Sequence, residues 1–379
     1  MKSFLLHERV KLKALSPIFI GDGEKIGKKE YIYLPKEQKV CIPKPEKLYT
    51  YLAKRNLAGR FEEFMLDNNR LGLADWLKNT GVPVSAYGSF MDYELPTAKG
   101  VFDEARSGGK AVRPQEILTF IKDPYGNPYI PGSSIKGMLR TALIAETVRK
   151  NHIRFDGIRR KVDDTIRNTQ NAKRNSFLNR ECMELEKMIF HTLSQDEKRA
   201  GDAVNCNLKG LIVSDSKPLS VKNLTLSQKI DYNLKKEEKK LPILRECLAP
   251  GTEVSFDLSI DREICPYGKD EIQAALDGFN ELCYQAFYRN FLTLPQQKGV
   301  VWIGGGCGFL SKTVVYALFQ KRAVEVTDEI FKATLGKQYL MHKHNRDVSM
   351  YRLAPHVCKC TRYNNMLYPM GRGQMIFDA

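Results

Sequence analysis

The chain has 379 residues and a mass of 43.3 kDa, and 60 Lys and Arg against 44 Asp and Glu give it a net charge of +16. An apolar content of 42% argues against a largely disordered chain, and no run of about 18 apolar residues predicts a membrane span. The short apolar stretch near Met1 does not predict a secretory signal. The excess positive charge indicates a polyanionic partner, and nucleic acid is favoured over an anionic membrane face.

The first part of the chain combines strands with short helices. Alternating and then continuous apolar residues over 8–20 predict a core strand, which Gly21-Asp22-Gly23 interrupts. Residues 31–34 and 39–42 flank a charged turn and predict a hairpin. From 45 to 80 the apolar residues recur at helical spacing, which predicts two or three short helices.

Residues 93–116 differ from their surroundings because they combine glycine, proline and several cations. Their composition, with the tip Ser107-Gly108-Gly109, predicts a protruding basic hairpin or a mobile loop. A strand is expected to follow at 117–121, and residues 123–128 are typical of a turn.

The clearest element boundary lies in residues 129–143, where a strand is expected to end at Pro131-Gly132 and a helix to begin. Ser133 or Ser134 is predicted to cap this helix. The free N–H groups and the positive dipole end of a helix N-terminus suit a phosphate. Two cations four residues apart share one helical face beside this end: Lys136 and Arg140.

The second half of the chain continues the alternation of strands and helices. Residues 149–200 are polar and helical in pattern, 210–215 and 251–260 predict strands, and 269–293 predict a helix. Strands and helices in this order indicate an α+β sandwich with one wet sheet face.

A glycine-rich loop follows the predicted strand at 300–303. Its glycines let the backbone approach a ligand closely, and Lys312 adds a charge. From Gly306 the loop reads G-x-x-x-x-S-K-T, close to a P-loop, but Ser311 replaces a required glycine. The residues after it, Val314-Val315-Tyr316, are β-prone where a P-loop needs a helix. An NTPase therefore stays a remote alternative. A purely structural role for the loop, as a glycine bulge at a sheet corner, is a further alternative.

Nine cysteines without a CxxC pattern argue against a disulfide framework and fit a reducing cytosol. Five soft ligands gather near the C-terminus: His342, His344, His356, Cys358 and Cys360. Because the two cysteines share one face of a predicted strand, two buried hydrophobes are favoured over a zinc site. We predict no metal and no cofactor.

Most of the excess charge lies in two segments. Residues 133–174 carry a net +7 and residues 332–379 a net +6, which together account for 13 of the 16 charges. Clustered cations are what an RNA backbone track requires, although a solvated helix face explains much of 159–174 equally well.

Four stretches of the chain together resemble the RAMP proteins of type III CRISPR effector complexes. They are 15–23, 129–143, 304–313, and 354–361 with 368–371. Among these proteins the chain is most similar to the subunit of Csm complexes that terminates the backbone near the 3′ end of the guide RNA. The resemblance implies an α+β fold: a ferredoxin-like, RRM-related antiparallel sheet core with backing helices. It implies one domain, 1–379, with helical insertions at 45–92 and 150–205 and a projecting thumb at 93–116.

The resemblance also implies a non-catalytic, cytoplasmic subunit that acts in antiviral defence. Its implied partners are the guide RNA (crRNA), target RNA, other Csm-type backbone and small subunits, and host ribonucleases, but no membrane. It would contribute to maturation of the 3′ end of the guide RNA without being the nuclease. Contacts with the RNA backbone alone would suit a protein that must accept any guide.

The candidate RNA-binding residues come from the motifs above. Phe309 is the ambiguous one, since it either stacks on a base or belongs to the core. The full set is Gly21, Gly23, Ser133, Ser134, Lys136, Arg140, Gly304, Gly305, Gly306, Gly308, Phe309, Lys312 and Thr313.

An endoribonuclease is the main alternative function. Related subunits use an aspartate in the loop after the first strand, and Asp22 occupies a comparable place, although an Asp between glycines is also typical of a turn. A guide-processing enzyme of the same superfamily would need a histidine base, and no histidine lies near the glycine-rich loop in sequence.

Overall fold

A computed structural model describes six segments of the chain: 4–67, 71–102, 105–107, 110–112, 116–196 and 201–378. The strands in these segments are β1 (Leu5–Ala14), β2 (Gly21–Ile26), β3 (Ile32–Leu34), β4 (Lys39–Pro43), β5 (Met91–Pro96), β6 (Ala105–Ser107), β7 (Lys110–Val112), β8 (Ile117–Phe120), β9 (Leu211–Val213), β10 (Leu224–Asn233), β11 (Glu238–Leu248), β12 (Glu253–Asp261), β13 (Val300–Trp302), β14 (Val357–Tyr363), β15 (Met366–Pro369) and β16 (Arg372–Phe377). The α-helices are α1 (Pro45–Ala53), α2 (Ala58–Leu66), α3 (Leu73–Asn79), α4 (Gly132–Lys150), α5 (Asp156–Asn168), α6 (Asn179–Phe190), α7 (Lys269–Ala286), α8 (Val315–Phe319), α9 (Ala323–Leu335) and α10 (Lys337–Met341). Across the described segments, none of the helices is long and apolar enough to span a membrane.

Two large sheets organise these elements. The first has the strand order β13-β16-β1-β12-β9 and is antiparallel throughout. The second has the order β15-β14-β10-β11-β8-β2 and contains one parallel pair, β8 with β11. The predicted α+β fold with antiparallel sheets and packed helices is therefore confirmed, and the parallel pair is a local departure from it.

Period-two patterning explains the centre of the first sheet. In β1, Val10 and Leu12 are buried and lie opposite Phe256 and Val254 of β12 in antiparallel register. The residues between them, such as Lys11, point away from this apolar face. Helices α4 and α7 pack against each other, and their buried residues join the same hydrophobic core.

The first strand is shorter than the predicted 8–20. It ends at Ala14 because Pro17 has no N–H to donate and Ser16 turns back onto Arg372, whose backbone N–H donates to the Ser16 hydroxyl over 2.7 Å. Ile18 then pairs with Leu248, so the chain passes from the first sheet to the second. The glycine segment expected to interrupt the strand is instead the irregular start of β2.

A three-stranded sheet, β3-β4-β5, carries the helices α1 to α3 and has its own apolar core. The predicted hairpin and the helices of 45–80 are confirmed, because their helical apolar spacing places Leu52, Trp76 and Leu77 together. That 45–92 and 150–205 are insertions in a single domain stays a prediction.

A buried carboxylate joins this small sheet to the second large one. Glu246 of β11 is fully buried, accepts the backbone N–H of Phe120 over 2.9 Å, and accepts from the Tyr93 hydroxyl and the Lys122 ammonium. Since a buried charge is tolerated only when it is paired and hydrogen-bonded, this network fixes the two sheets relative to each other.

The predicted thumb at 93–116 is described only in part. Strands β6 and β7 pair antiparallel, as expected of a hairpin. Residues 103–104, 108–109 and 113–115, which include the predicted glycine tip, lie outside the described residues. A projecting basic hairpin therefore stays a prediction.

Candidate nucleic-acid interface

The glycine-rich loop lies against the segment that links the two large sheets. The N–H of Gly305 donates to the carbonyl oxygen of Phe19 over 2.7 Å. Gly304 has a φ of +86°, and a Cβ there would lie 2.2 Å from the same carbonyl oxygen. Glycine is thus required both by the left-handed backbone and by the close approach.

This loop faces the N-terminal turn of α4 across a cleft of about 380 Å³. Two motifs that are some 170 residues apart in sequence are therefore brought together, as a shared ligand would require. The sequence-predicted residues that line the cleft are Gly21, Ser133, Ser134, Gly304, Gly305 and Lys312.

Lys312 is the free cation of this cleft. Its side chain is exposed, and no carboxylate in the described segments pairs with it. An unpaired ammonium beside two serine hydroxyls offers a phosphate both charge and hydrogen-bond donors.

The start of α4 differs from the prediction. Pro131, not a serine, occupies the N-cap position, and no side chain caps the helix from there. Ser133 and Ser134 lie inside the first turn, because the helix starts two or three residues earlier than predicted, directly after the proline with its fixed φ. The carboxylate of Asp215 accepts the Gly132 N–H over 2.8 Å, so an acidic side chain already occupies the axial end of the helix. A phosphate would have to approach from the side of the serines.

Lys136 and Arg140 do not line this cleft. Burial lowers the pKa of the half-buried Lys136, and the Arg140 guanidinium lies 3.8 Å from the Glu186 carboxylate. Arg140 therefore faces α6, and both cations lie outside the cleft, where they would reach only a ligand that extends around the helix.

Several cations of the +7 segment 133–174 are engaged in local ion pairs. Arg149 contacts Glu146 over 2.9 Å, and Lys161 contacts Glu184 over 2.5 Å. These pairs support the solvated-helix explanation for that part of the segment.

Phe309 and Thr313 face away from the cleft. The Phe309 ring meets Phe331 edge-on with 5.0 Å between centroids, beside an apolar cavity of about 340 Å³ between α5, α6 and α9. Thr313 has a buried hydroxyl without a hydrogen-bond partner in the described structure. The packing of Phe309 favours the core role over base stacking.

Sequence reasoning missed a cationic cluster beneath the glycine-rich loop, formed by Lys229, Arg245 and Lys359. A Cβ at Gly306 would lie 2.8 Å from the Arg245 guanidinium, and the nearest neighbour of a Cβ at Gly308 is the stem of Lys359. Lys359 contacts Asp231 over 2.8 Å, whereas Arg245 has no carboxylate partner among the described residues and its Nε is buried without an acceptor.

Burial and the neighbouring charge of Lys359 lower the pKa of Lys229 to about 8, and burial also lowers the pKa of Arg245. Lys229 lies at a β-bulge of β10, which turns its side chain out of the regular register. The cluster thus holds more positive charge than the neighbouring acids neutralise, which is the electrostatic signature of a polyanion site.

Asp22 behaves as a turn residue. Its Oδ1 accepts the Glu24 N–H over 2.9 Å and the Thr119 hydroxyl, an arrangement typical of an Asx turn. Within the described segments, the grouping of three or more metal-ligating side chains lies elsewhere, at His344, Asp347 and His356.

The P-loop alternative does not fit the strand order. Strand β13, which leads into the loop, and β9, which would supply the second acidic motif, lie at opposite edges of the first sheet.

The β prediction for 314–316 is nevertheless wrong, because Val315–Phe319 form α8. There the buried Tyr316 donates its hydroxyl to the Ala354 carbonyl oxygen over 2.7 Å. Ser311 is buried and its hydroxyl donates to the Cys307 carbonyl oxygen.

Sequence comparison relates the chain to one superfamily along most of its length. A sequence model of the RAMP superfamily matches residues 11–311. The chain is 30% identical to the CRISPR system Cms protein Csm5 of Mycobacterium tuberculosis (strain CDC 1551 / Oshkosh), over 99% of this chain and 98% of that protein. It is 28% identical to the Csm5 protein of Streptococcus thermophilus, over 81% of this chain and 79% of that protein.

Structural comparison points the same way. The fold matches a chain of the cryo-EM structure of a Csm–crRNA–target RNA ternary complex of a type III-A CRISPR-Cas system, with a TM-score of 0.59 and 20% identity over 98% of this chain and 100% of that one. It also matches the crystal structure of T. onnurineus Csm5, with a TM-score of 0.58 and 19% identity over 96% and 99% of the two chains.

Proposed function

The chain belongs to the Csm5 family of the RAMP superfamily, and from this premise we propose that it is a non-catalytic guide-RNA-binding subunit of a type III-A CRISPR ribonucleoprotein. It terminates the backbone of that complex and contributes to maturation of the guide 3′ end in antiviral defence. Its partners are the crRNA, target RNA, the neighbouring Csm-type backbone and small subunits, and host ribonucleases that trim the guide in the cytoplasm.

One observation carries the RNA-binding part of this proposal. The glycine-rich loop has the Lys312 cleft on one side and the cationic cluster of Lys229, Arg245 and Lys359 beneath it. Serine hydroxyls and unneutralised cations at one place suit a phosphodiester chain, which carries one charge per nucleotide. Contacts of this kind do not distinguish bases, as a subunit that accepts any guide requires.

We assign the primary contacts to the residues that line or adjoin the cleft. Gly21, Ser133, Ser134, Gly304, Gly305 and Lys312 would hold one phosphate region, and Gly23 would extend it along β2. Gly306, Gly308 and Thr313 would shape the loop above the cationic cluster. Lys136 and Arg140 would meet a more distant part of the strand around α4, and Phe309 would support the loop by packing.

The absence of catalysis is part of the proposal. Asp22 is held in a turn by two hydrogen bonds, and it belongs to no group of three or more metal-ligating side chains in the described segments. We expect complexes with Asp22→Ala to cleave target RNA as fast as wild type. Loss of cleavage in that variant, with RNA content unchanged, would favour the endoribonuclease alternative instead.

Affinity purification of the chain from its native cells tests the proposal as a whole. We expect other Csm subunits and short guide RNAs of varied sequence to co-purify, with ribonucleases present at lower amounts. Recovery of the chain without RNA and without Csm subunits would contradict the assignment.

A further inference from the structure

Three ligand-type side chains converge between α10 and β14. His344 Nδ1 lies 2.8 Å from one carboxylate oxygen of Asp347, and His356 Nδ1 contacts the other oxygen. One ligand atom from each of the three residues lies within 4.8 Å of the other two. The sequence placed His344 and His356 among five possible soft ligands and predicted no metal, but it did not indicate Asp347, because the spacing of the three residues matches no common zinc motif.

Burial makes this cluster unusual. Asp347 is 0% exposed and His356 is 9% exposed. No Lys or Arg of the described segments pairs with the Asp347 carboxylate, whose ionic contacts are the two imidazoles. A buried carboxylate needs a compensating positive charge, and no Lys or Arg side chain of the described segments supplies one here.

Aromatic side chains hold the two imidazoles in place. The His344 ring lies 4.8 Å from that of Phe331, and the His356 ring stacks on Tyr351 at 4.8 Å. The open side of the cluster faces a cleft of about 460 Å³, which His342 also lines. Fixed protein ligands on one side and an accessible position on the other are the arrangement of a three-ligand metal site.

We propose that His344, Asp347 and His356 bind one divalent transition-metal ion, with zinc as the preferred ion. Two nitrogen ligands and one carboxylate oxygen are a donor set that suits zinc, whose fourth position would be filled by water or by His342. Ligand atoms at about 2.1 Å from a tetrahedral zinc lie about 3.4 Å apart, within the range of separations that the side chains already show.

The ion would fasten the segment that carries His344 and Asp347 to the start of β14. That strand also bears Lys359 of the cationic cluster, so the ion would stiffen the floor beneath the glycine-rich loop. Cys358 and Cys360 are not its ligands, because both are fully buried on the core face of β14. The alternative is a metal-free carboxylate that two histidines hydrogen-bond.

Metal analysis of the full-length protein tests the site. The protein is incubated with ZnCl2, desalted, and its zinc content measured by mass spectrometry, alongside the variants His344→Asn/His356→Asn and His7→Asn. We expect about one zinc per chain in wild type and in His7→Asn, whose exposed ring contacts Ser259, and less than about one tenth in the double variant.

A second measurement needs no variant. Treating the zinc-loaded wild type with EDTA is expected to release the ion and to lower the melting temperature, and added ZnCl2 is expected to restore it. Wild type that retains no more zinc than the double variant, or whose melting temperature does not respond to ZnCl2, would overturn the site and leave the hydrogen-bonded carboxylate as the explanation.

Discussion

The guanidinium of Arg245 lies over the ring of Phe19, 5.3 Å from its centroid, and directly beneath Gly306. Phe19 is also the residue whose carbonyl oxygen accepts the Gly305 N–H. One short segment therefore positions both the glycine-rich loop and an arginine without a carboxylate partner. A desolvated arginine without a carboxylate partner contributes little to the stability of the fold. Its positive charge instead attracts an anionic ligand.

Arg245→Met separates these two roles. The aliphatic side chain retains most of the packing on Phe19 and removes a desolvated charge. We expect the free energy of unfolding to stay within about 1 kcal/mol of wild type or to rise, while RNA affinity falls. Chemical denaturation and RNA binding, measured on the same preparation, check this. A large loss of stability would mean that the charge is compensated in the fold.

Gly304→Ala is expected to destabilise the loop. Its φ of +86° and the 2.2 Å approach to the Phe19 carbonyl oxygen leave no room for a Cβ, so we expect a loss of about 2 kcal/mol or more in unfolding free energy. Gly59→Ala in α2 is the control, because a Cβ there meets nothing within 4 Å and should be neutral or stabilising. Equal melting temperatures for the two variants would contradict the described loop.

The buried Glu246 network predicts strong coupling between two side chains. Lys122→Met leaves the Glu246 carboxylate without its cation and is expected to cost about 3 kcal/mol. Adding Glu246→Gln should recover part of this loss, since the unpaired charge is removed. A double-mutant cycle from denaturation curves measures the coupling, and strictly additive effects would show that the pair does not interact.

Lys229 predicts a pH dependence of RNA binding. Its pKa is lowered from 10.5 to about 8, so between these values the folded protein loses a proton that the unfolded chain keeps. This contribution to stability therefore rises with pH across that window, while the charge available to RNA falls. We expect RNA affinity to weaken from pH 7.5 to pH 9.

Lys229→Arg should remove this step, because arginine stays charged throughout. Titrations of RNA binding at several pH values and constant ionic strength compare the variant with wild type. The same weakening in both proteins would assign the pH effect to another group.

Local sequence patterns predicted the elements whose side chains repeat regularly. The helices near Leu52 and Trp76 and the strand around Val10 are of this kind, because one apolar face decides their conformation. The β-prone residues 314–316 became helical because Tyr316 is buried and bonded to Ala354, so tertiary packing outweighed a weak local preference.

Only part of the candidate site could be predicted from the sequence. Ser133 and Lys312 belong to recognisable motifs and do meet at one cleft. Lys229 and Arg245 lie outside the two positively charged segments, and their proximity depends on strand pairing and on a bulge that no local pattern specifies. The net charge of the segments therefore indicated which type of partner binds, but it did not identify the residues that would bind it.

The most direct test of the account is the affinity for guide RNA, measured at several salt concentrations, of complexes that carry Lys312→Glu. This change places a negative charge in the cleft between α4 and the glycine-rich loop, and Lys78→Glu on the exposed surface of α3 is the charge-matched control. We predict that guide RNA affinity falls about tenfold or more and becomes less dependent on salt for Lys312→Glu, and is unchanged for Lys78→Glu. Wild-type affinity and salt dependence in a folded, assembled Lys312→Glu complex would contradict the proposed RNA site.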